Sequence, residues 1–394
     1  TSAPLDFDPT DPVALAQALI RCESVTPLEG GALALLQSIL EPRGFRCHRL
    51  TMREPGTPDV ENLYARFGEG RPNLCFAGHT DVVPAGDAKR WRHPPFGGVI
   101  EDGVLYGRGA VDMKGAIAAF VAGALQHMAS PDSSHDFDIS LLITGDEEGP
   151  SINGTAKVLD WLAARGEKLD AAIVGEPTNP TELGQEIKIG RRGSLTGDIL
   201  VHGKQGHVAY PQLADNPVPK LVSILNALSG HSFDTGNADF EPTNLEVTII
   251  EVSNTATNVI PAEAGAKFNV RYNSEWTRPR LEAEIGRLIA EAAATASARF
   301  DLAFSGTGDV FLTRPGPLVD AIRQAVESVT GRIPALTTNG GTSDARFIQA
   351  YCPVIEFGLI NQLAHHIDES VAVAEFIDAF CRHGVADLAL SSLK

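Results

Sequence analysis

Cysteine, aromatic side chains and positive charge are all scarce in this sequence, and each shortage excludes something. The five cysteines (Cys22, Cys47, Cys75, Cys352, Cys381) are odd in number and scattered, with no Cys-x-x-Cys pair. This argues against a disulfide framework or a thiolate zinc knot and predicts a reducing, cytoplasmic setting. Lys and Arg number 32 against 50 Asp and Glu, a formal charge of −18. A field of that sign repels phosphate backbones and anionic lipid, so neither nucleic acid nor a membrane is an expected partner. No run approaches the twenty apolar residues of a membrane-spanning helix, and residues 1–11 lack the basic and apolar regions of a secretion signal. Repeats and low-complexity segments are missing too.

What is present fits a globular enzyme. Hydrophobic residues make up 43% and charged residues 21% of 394, enough for two domains or three. Helical spacing over residues 13–21, 32–40, 116–128 and 153–164 alternates with strand-like runs at 73–78, 137–144 and 171–174. This predicts an α/β sandwich with a largely parallel sheet. From about residue 190 the pattern changes to strand 194–202, helix 217–228, strands 243–252 and 264–272, helix 278–298 and strand 299–305. That order, β-α-β-β-α-β, is ferredoxin-like. Helix–strand alternation then resumes at 318–329, 343–350 and 353–357, with a terminal helix expected from Glu369. The economical reading is one α/β domain, residues 1–191 and 306–394, interrupted by an insert at 192–305.

Five polar segments fall where a strand ends or a helix begins. His79 and Asp81 lie in GHTDVVP; a histidine there can ligate a metal while a carboxylate two residues on holds its other nitrogen. Asp112 in GRGAVDMKG reads either as an N-cap or as a carboxylate open to two cations. Glu147 and Glu148 in TGDEEG can divide labour, one ligating and its neighbour taking a proton from water. Glu176 follows a strand in VGEPT, and AHHIDE supplies His365 or His366. Taken singly, each has an ordinary structural explanation. Together they make the nitrogen and oxygen donor set that suits zinc without thiolates.

With GHTDVVPAG, GRGAVDMKG, TGDEEG, VGEPT, GRRGS, QGHVAYP, GGTSDARF and AHHIDE, the chain resembles the di-zinc peptidase family of aminoacylases, glutamate carboxypeptidases and deacylases over nearly its whole length. The resemblance implies a zinc-peptidase-like catalytic domain and an inserted dimerisation domain in a homodimer. It further implies two Zn2+ per subunit, one replaceable by Co2+ or Mn2+. Asp112 would bridge them, with His79 and Glu176 on one and Glu148 and His365 on the other. Family spacing selects His365 over His366. Glu147 would be the general base and Asp81 the support of His79, while His207 would reach into the neighbouring subunit's site. Arg191, Ser194, Tyr210, Asn258, Arg271, Gly341, Thr342, Arg346 and Asn361 would bind substrate. One departure stands out: Asn254-Thr255-Ala256 replaces the glycine-rich approach that relatives show before Asn-Val-Ile-Pro.

The implied reaction is hydrolysis of N-succinyl-LL-2,6-diaminopimelate to succinate and LL-2,6-diaminopimelate, a step of lysine and diaminopimelate biosynthesis. Acetylornithine or another N-acyl amino acid is the alternative substrate. The alternative of a different class is a non-catalytic, zinc-dependent binding or scaffold protein, against which the presence of Glu147 speaks.

Overall fold

The computed structural model describes residues 5–131 and 137–374. The chain divides into two compact units. The first takes the residues up to Gly190, then Leu312–Thr337, and resumes at Ser343. The second is Arg191–Phe311 with Thr338–Thr342.

The first unit is built on an eight-stranded sheet. Strand Asn73–His79 sits near its middle, flanked in parallel by Asp138–Thr144 and Ala171–Val174, and the latter pairs in parallel with Val354–Glu356. Asn73–His79 and Asp138–Thr144 are buried at every position, which explains their unbroken apolar runs in place of alternation. Parallel pairing returns at the far edge, between Glu186–Lys188 and Ala335–Thr337, after one antiparallel step from Val354–Glu356. Arg46–Met52 and Val60–Phe67, two strands the apolar pattern did not reveal, add an antiparallel edge. Arg46–Met52 is half exposed and polar, so it carries no core-like run.

Helix Lys114–Ala129 covers the sheet with small residues: Gly115, Ala116, Ala118, Ala119 and Ala122 are all buried. Their size lets helix Pro12–Ile20 pack closely on it. That second helix is started by Asp11, which accepts from the amides of Val13 and Ala14, with Pro12 at its first position. Strand Ser370–Ala372 pairs with Val104–Tyr106 where the terminal helix is expected from Glu369, and helical residues begin only at Val373; the rest of that expectation lies outside the described residues.

The second unit has a four-stranded antiparallel sheet. Its members are Gly193–His202, Asn244–Glu251, Glu263–Tyr272 and Arg299–Gly308, and in chain order they lie as second, third, first and fourth across the sheet. Helices Pro217–Ser229 and Arg278–Thr295 cover one face, which gives the ferredoxin-like order. Gly193 and Gly197 are required by packing: a Cβ would lie 2.2 Å from the Tyr272 ring and 2.0 Å from the Phe268 ring. Among the described residues, no helix is long and apolar enough to cross a membrane.

Candidate metal centre

Three adjacent parallel strands deliver the chemistry to one edge of the first unit's sheet. His79 ends the middle strand; Asp146, Glu147 and Glu148 follow the strand on one side, and Gly175 and Glu176 the strand on the other. Loops leaving the carboxyl ends of neighbouring parallel strands converge, and there open α/β sheets bind ligands. Two glycines make room: a Cβ on Gly78 or Gly175 would lie 2.4 or 2.7 Å from Met113 Cε.

Asp112 is not the N-cap of the helix that follows, which starts at Lys114 without a side-chain cap. Its two oxygens face two imidazoles instead. Oδ1 lies 3.1 Å from His79 Nε2 and Oδ2 lies 3.2 Å from His365 Nε2. His365 Nε2 is also 2.7 Å from Glu148 Oε1. His79 Nε2 is 3.8 Å from Glu176 Oε1 and 4.0 Å from Glu147 Oε2. His365, and not His366, is the imidazole turned to this cluster.

The support of His79 differs from the expectation. Its Nδ1 is 2.8 Å from the backbone carbonyl of Asp81 and 3.6 Å from the carboxylate. A carbonyl can only accept, so Nδ1 donates and Nε2 is left free to ligate. The Asp81 carboxylate accepts from Thr26 Oγ1 at 2.8 Å and from the amides of Glu147 and Glu148 at 3.3 and 3.1 Å. Asp81 therefore shapes the turn that carries the two glutamates.

Electrostatics follow from collecting like charges out of water. Burial pushes Glu147 up to about 8, with His79 opposing and Asp344, Asp112 and Glu148 adding. Burial, then Asp112 and Glu147, raise Glu176 well above the usual carboxylate range. For Asp112, burial is outweighed by His365 and His79, which hold it below the usual range. Hydrogen bonds to Asp112 and Glu148 lift His365 to about 10. Burial opposes charge on His79, yet the carboxylates around it raise it well above its ordinary value.

These residues fit a metal. Among the described residues, two sets have ligand atoms within 4.8 Å of one another: His79, Asp112 and Glu148, and His79, Glu147 and Glu176. Glu176 Oε1 is buried with no hydrogen-bond partner. A buried, unpaired carboxylate oxygen among other carboxylates calls for a cation, and mixed imidazole and carboxylate donors are what a divalent ion takes.

A sequence profile of peptidase family M20/M25/M40 matches residues 75–381, which span every member of this cluster. The chain belongs to that family. Like its other members, it is a hydrolase. Curated M20 relatives named succinyl-diaminopimelate desuccinylase include one from Rhodospirillum centenum, 56% identical over 93% of this chain and 94% of its own length. Another, from Methylorubrum extorquens, is 56% identical over 92% of this chain and 94% of its own. Among solved structures, an M20 metallo-carboxypeptidase from Sulfolobus solfataricus aligns with TM-score 0.79 at 18% identity, covering 98% of this chain and 100% of that one. A dinuclear metal-binding M20 peptidase from Bacillus subtilis aligns with TM-score 0.66 at 17% identity, covering 98% of each chain. These two likenesses show the M20 fold.

The remaining residues singled out in this M20 chain fall in both units. In the second, Ser194 and Arg271 are register partners on adjacent strands. Arg191 donates to the Asn339 carbonyl at 2.6 Å, two residues before Gly341. His207 pairs across a short ladder with Val259, and the Val208 amide donates to the Asn258 carbonyl at 3.1 Å, so His207, Tyr210 and Asn258 share one pair of loops. Asn254 holds that loop by donating to the Val259 carbonyl at 2.8 Å. Arg192 is spent on structure, donating to the Pro242 carbonyl.

In the first unit, Asn361 opens an exposed turn before His365. Arg346 is buried 3.7 Å from Asp344, beyond hydrogen-bond distance, with its Nε unpartnered. Sequence reasoning missed three buried groups here. Asp344 accepts from Thr155 at 2.6 Å, burial raises its proton affinity, and its charge bears on Glu147. Lys114 donates to the Cys22 carbonyl at 2.7 Å, and burial lowers it to about 8. Glu369 accepts from the loop that carries Asp112. Each lies in a segment already picked out, beside a residue that drew more attention.

Proposed function

We propose that this chain is a zinc-dependent amidohydrolase that converts N-succinyl-LL-2,6-diaminopimelate and water to succinate and LL-2,6-diaminopimelate. The observation that carries the reading is 56% identity over 93% of the chain to a relative named for that desuccinylation. His79, Asp112 and Glu176 would hold one ion and Asp112, Glu148 and His365 the other, with Zn2+ the reading for both and Co2+ or Mn2+ a substitute in one. A metal pair so held would supply Lewis acidity to the amide carbonyl and make water more acidic.

Glu147 takes a proton from water as the new carbon–oxygen bond forms. It then gives that proton to the amine nitrogen as the carbon–nitrogen bond breaks. Its carboxylate stands beside the proposed ligands, 4.0 Å from His79 Nε2, where a group that accepts and returns a proton is needed. Asp81, by holding the amides of Glu147 and Glu148, keeps the base and its ligating neighbour in fixed directions. Arg191, Arg271 and Arg346 offer guanidinium forks to the substrate's carboxylates, with Ser194, Tyr210, Asn258, Gly341, Thr342 and Asn361 adding hydrogen bonds.

The test is a substrate panel on metal-reconstituted protein. Succinyl-diaminopimelate should exceed acetylornithine in kcat/KM by about 10⁴-fold, because groups built to bind the extra carboxylate are left unpaired by an acetyl group. A preference for acetylornithine overturns the substrate and leaves the hydrolytic reading standing.

The second unit is read as the dimerisation domain of a homodimer, with His207 of the partner subunit steadying negative charge on the carbonyl oxygen. His207 is exposed; its Nδ1 accepts from the Ala209 amide at 3.0 Å and its ring lies 5.7 Å from that of Tyr210, which leaves Nε2 facing outward from these contacts. Mixing inactive Glu147→Gln with inactive His207→Ala under subunit exchange should restore roughly a quarter of wild-type activity. About half the dimers are then mixed, each with one whole site. No recovery after demonstrated exchange places His207 outside the neighbour's chemistry.

A further inference from the structure

We propose that Arg108 and Glu369 are positioning residues that clamp the Asp112 peptide to the His365 backbone, and so set the cation position offered by Asp112, Glu148 and His365. The proposal rests on the reading of Asp112 and His365 as metal ligands.

The clamp is made of two enclosed side chains. Both side chains are almost wholly enclosed, Glu369 at 0% and Arg108 at 2% exposure. Glu369 Oε1 accepts from the amides of Val111 and Asp112 at 2.9 and 3.1 Å, and Oε2 accepts from the Gly109 amide at 3.0 Å. The fourth donor is Arg108 Nη1, 2.7 Å from Oε2. One carboxylate thus moulds the whole turn that ends at Asp112, a turn in which Gly109 takes a left-handed φ of +86°. Arg108 continues the connection through Nη2, which lies 3.3 Å from the His365 carbonyl and 3.4 Å from that of Pro84. Its guanidinium is seated 5.2 Å over the Trp91 ring.

The far end of the clamp needs holding. His365 has φ of +65°, a left-handed conformation rarely populated by a residue with a side chain, and one that persists only where surroundings enforce it. The pairing of Ser370 with Tyr106 and the Gly107 amide on the Glu369 carbonyl at 2.9 Å extend a strand ladder toward the site. Glu369 is thereby delivered to the Asp112 turn. A buried ion pair is a poor way to gain stability, since apolar residues of equal volume serve as well or better. One whose carboxylate takes four donors and whose guanidinium reaches both ligand-bearing segments fixes geometry, which is what supporting groups behind metal ligands do.

The experiment compares Glu369→Gln and Arg108→Lys with wild type. In Glu369→Gln an amide N–H2 must face one of the existing donors. Arg108→Lys keeps the charge but cannot fork between Glu369 and the His365 carbonyl, and it decides the matter if the glutamine variant fails to fold. Zn2+ is titrated into metal-free protein against a chromogenic chelator, with amide exchange at Val111 and Asp112 and the kcat and KM of reconstituted enzyme measured alongside. One of the two equivalents should lose about 10- to 100-fold in affinity. Exchange at the two amides should quicken, and kcat should fall more than KM rises. Two equivalents bound at wild-type affinity by folded variants, even with a lowered metal-free Tm, overturn the proposal, because that is the mark of a purely structural pair. Asp112→Ala run in parallel separates the failures: if it too keeps both equivalents, the ligand reading has failed rather than the clamp.

Discussion

Glu147→Gln should retain the metal content of the wild type and lose about 10²- to 10⁴-fold in kcat, the usual contribution of a positioned general base. The substitution is isosteric, and the turn that carries it is held by backbone contacts, the Glu147 amide on Asp81 among them, which the variant keeps. What disappears is a group able to accept a proton. KM should move little, because the amide still fills the same space. Metal-free protein gives an independent readout. Burial raises the folded pKa of Glu147 from 4.5 to about 8, so folded protein binds a proton more tightly than unfolded chain. Stability then falls as pH rises between those two values. The glutamine variant has no such group, and its metal-free Tm should fall less over that interval. Near wild-type turnover in Glu147→Gln removes the base from the mechanism.

Asp112→Ala should act on the metal itself. The wild-type carboxylate meets His79 through one oxygen and His365 through the other, so its loss removes a donor from both proposed positions. Supporting groups behind a ligand already cost 10- to 100-fold in affinity when removed, so loss of a shared ligand should exceed about 100-fold and abolish measurable turnover. Elemental analysis after dialysis against limiting Zn2+ reads the stoichiometry. Wild-type stoichiometry in this variant counts against the bridge. Asp112→Asn sharpens the comparison, since it keeps the shape yet removes the charge that balances two cations and puts an N–H2 donor where one of the two oxygens stood.

Much of the site was legible before any fold was known because its donors sit at positions that local pattern marks. His79 and Glu176 each follow an apolar run whose burial is complete, and such a run ends where the sheet meets solvent. The same logic found Glu147 and Glu148. It failed for Arg46–Met52, whose half-exposed strand has no apolar run to announce it. It failed also for Glu369, which reads as the acidic first turn of a helix. Its actual contacts lie 257 to 261 positions back along the chain, where only folding brings them close.

Asp81 shows the limit most sharply. Its spacing from His79 correctly marks the two as neighbours, but whether the imidazole meets the carboxylate or the backbone carbonyl depends on what else competes for the carboxylate. Here Thr26 and the amides of Glu147 and Glu148 take it.

By itself the sequence determined which side chains gather at the candidate site, the strand ends that carry His79, Glu147, Glu148 and Glu176, and the β-α-β-β-α-β order of the second unit, because hydrophobic period and chain order are local properties. Only the tertiary structure decided which carboxylate oxygen faces which imidazole, that His365 is turned inward, and that Glu369 stands behind Asp112. Those choices follow from strand order across the sheet and from competition for hydrogen bonds, which arise between segments far apart in the chain.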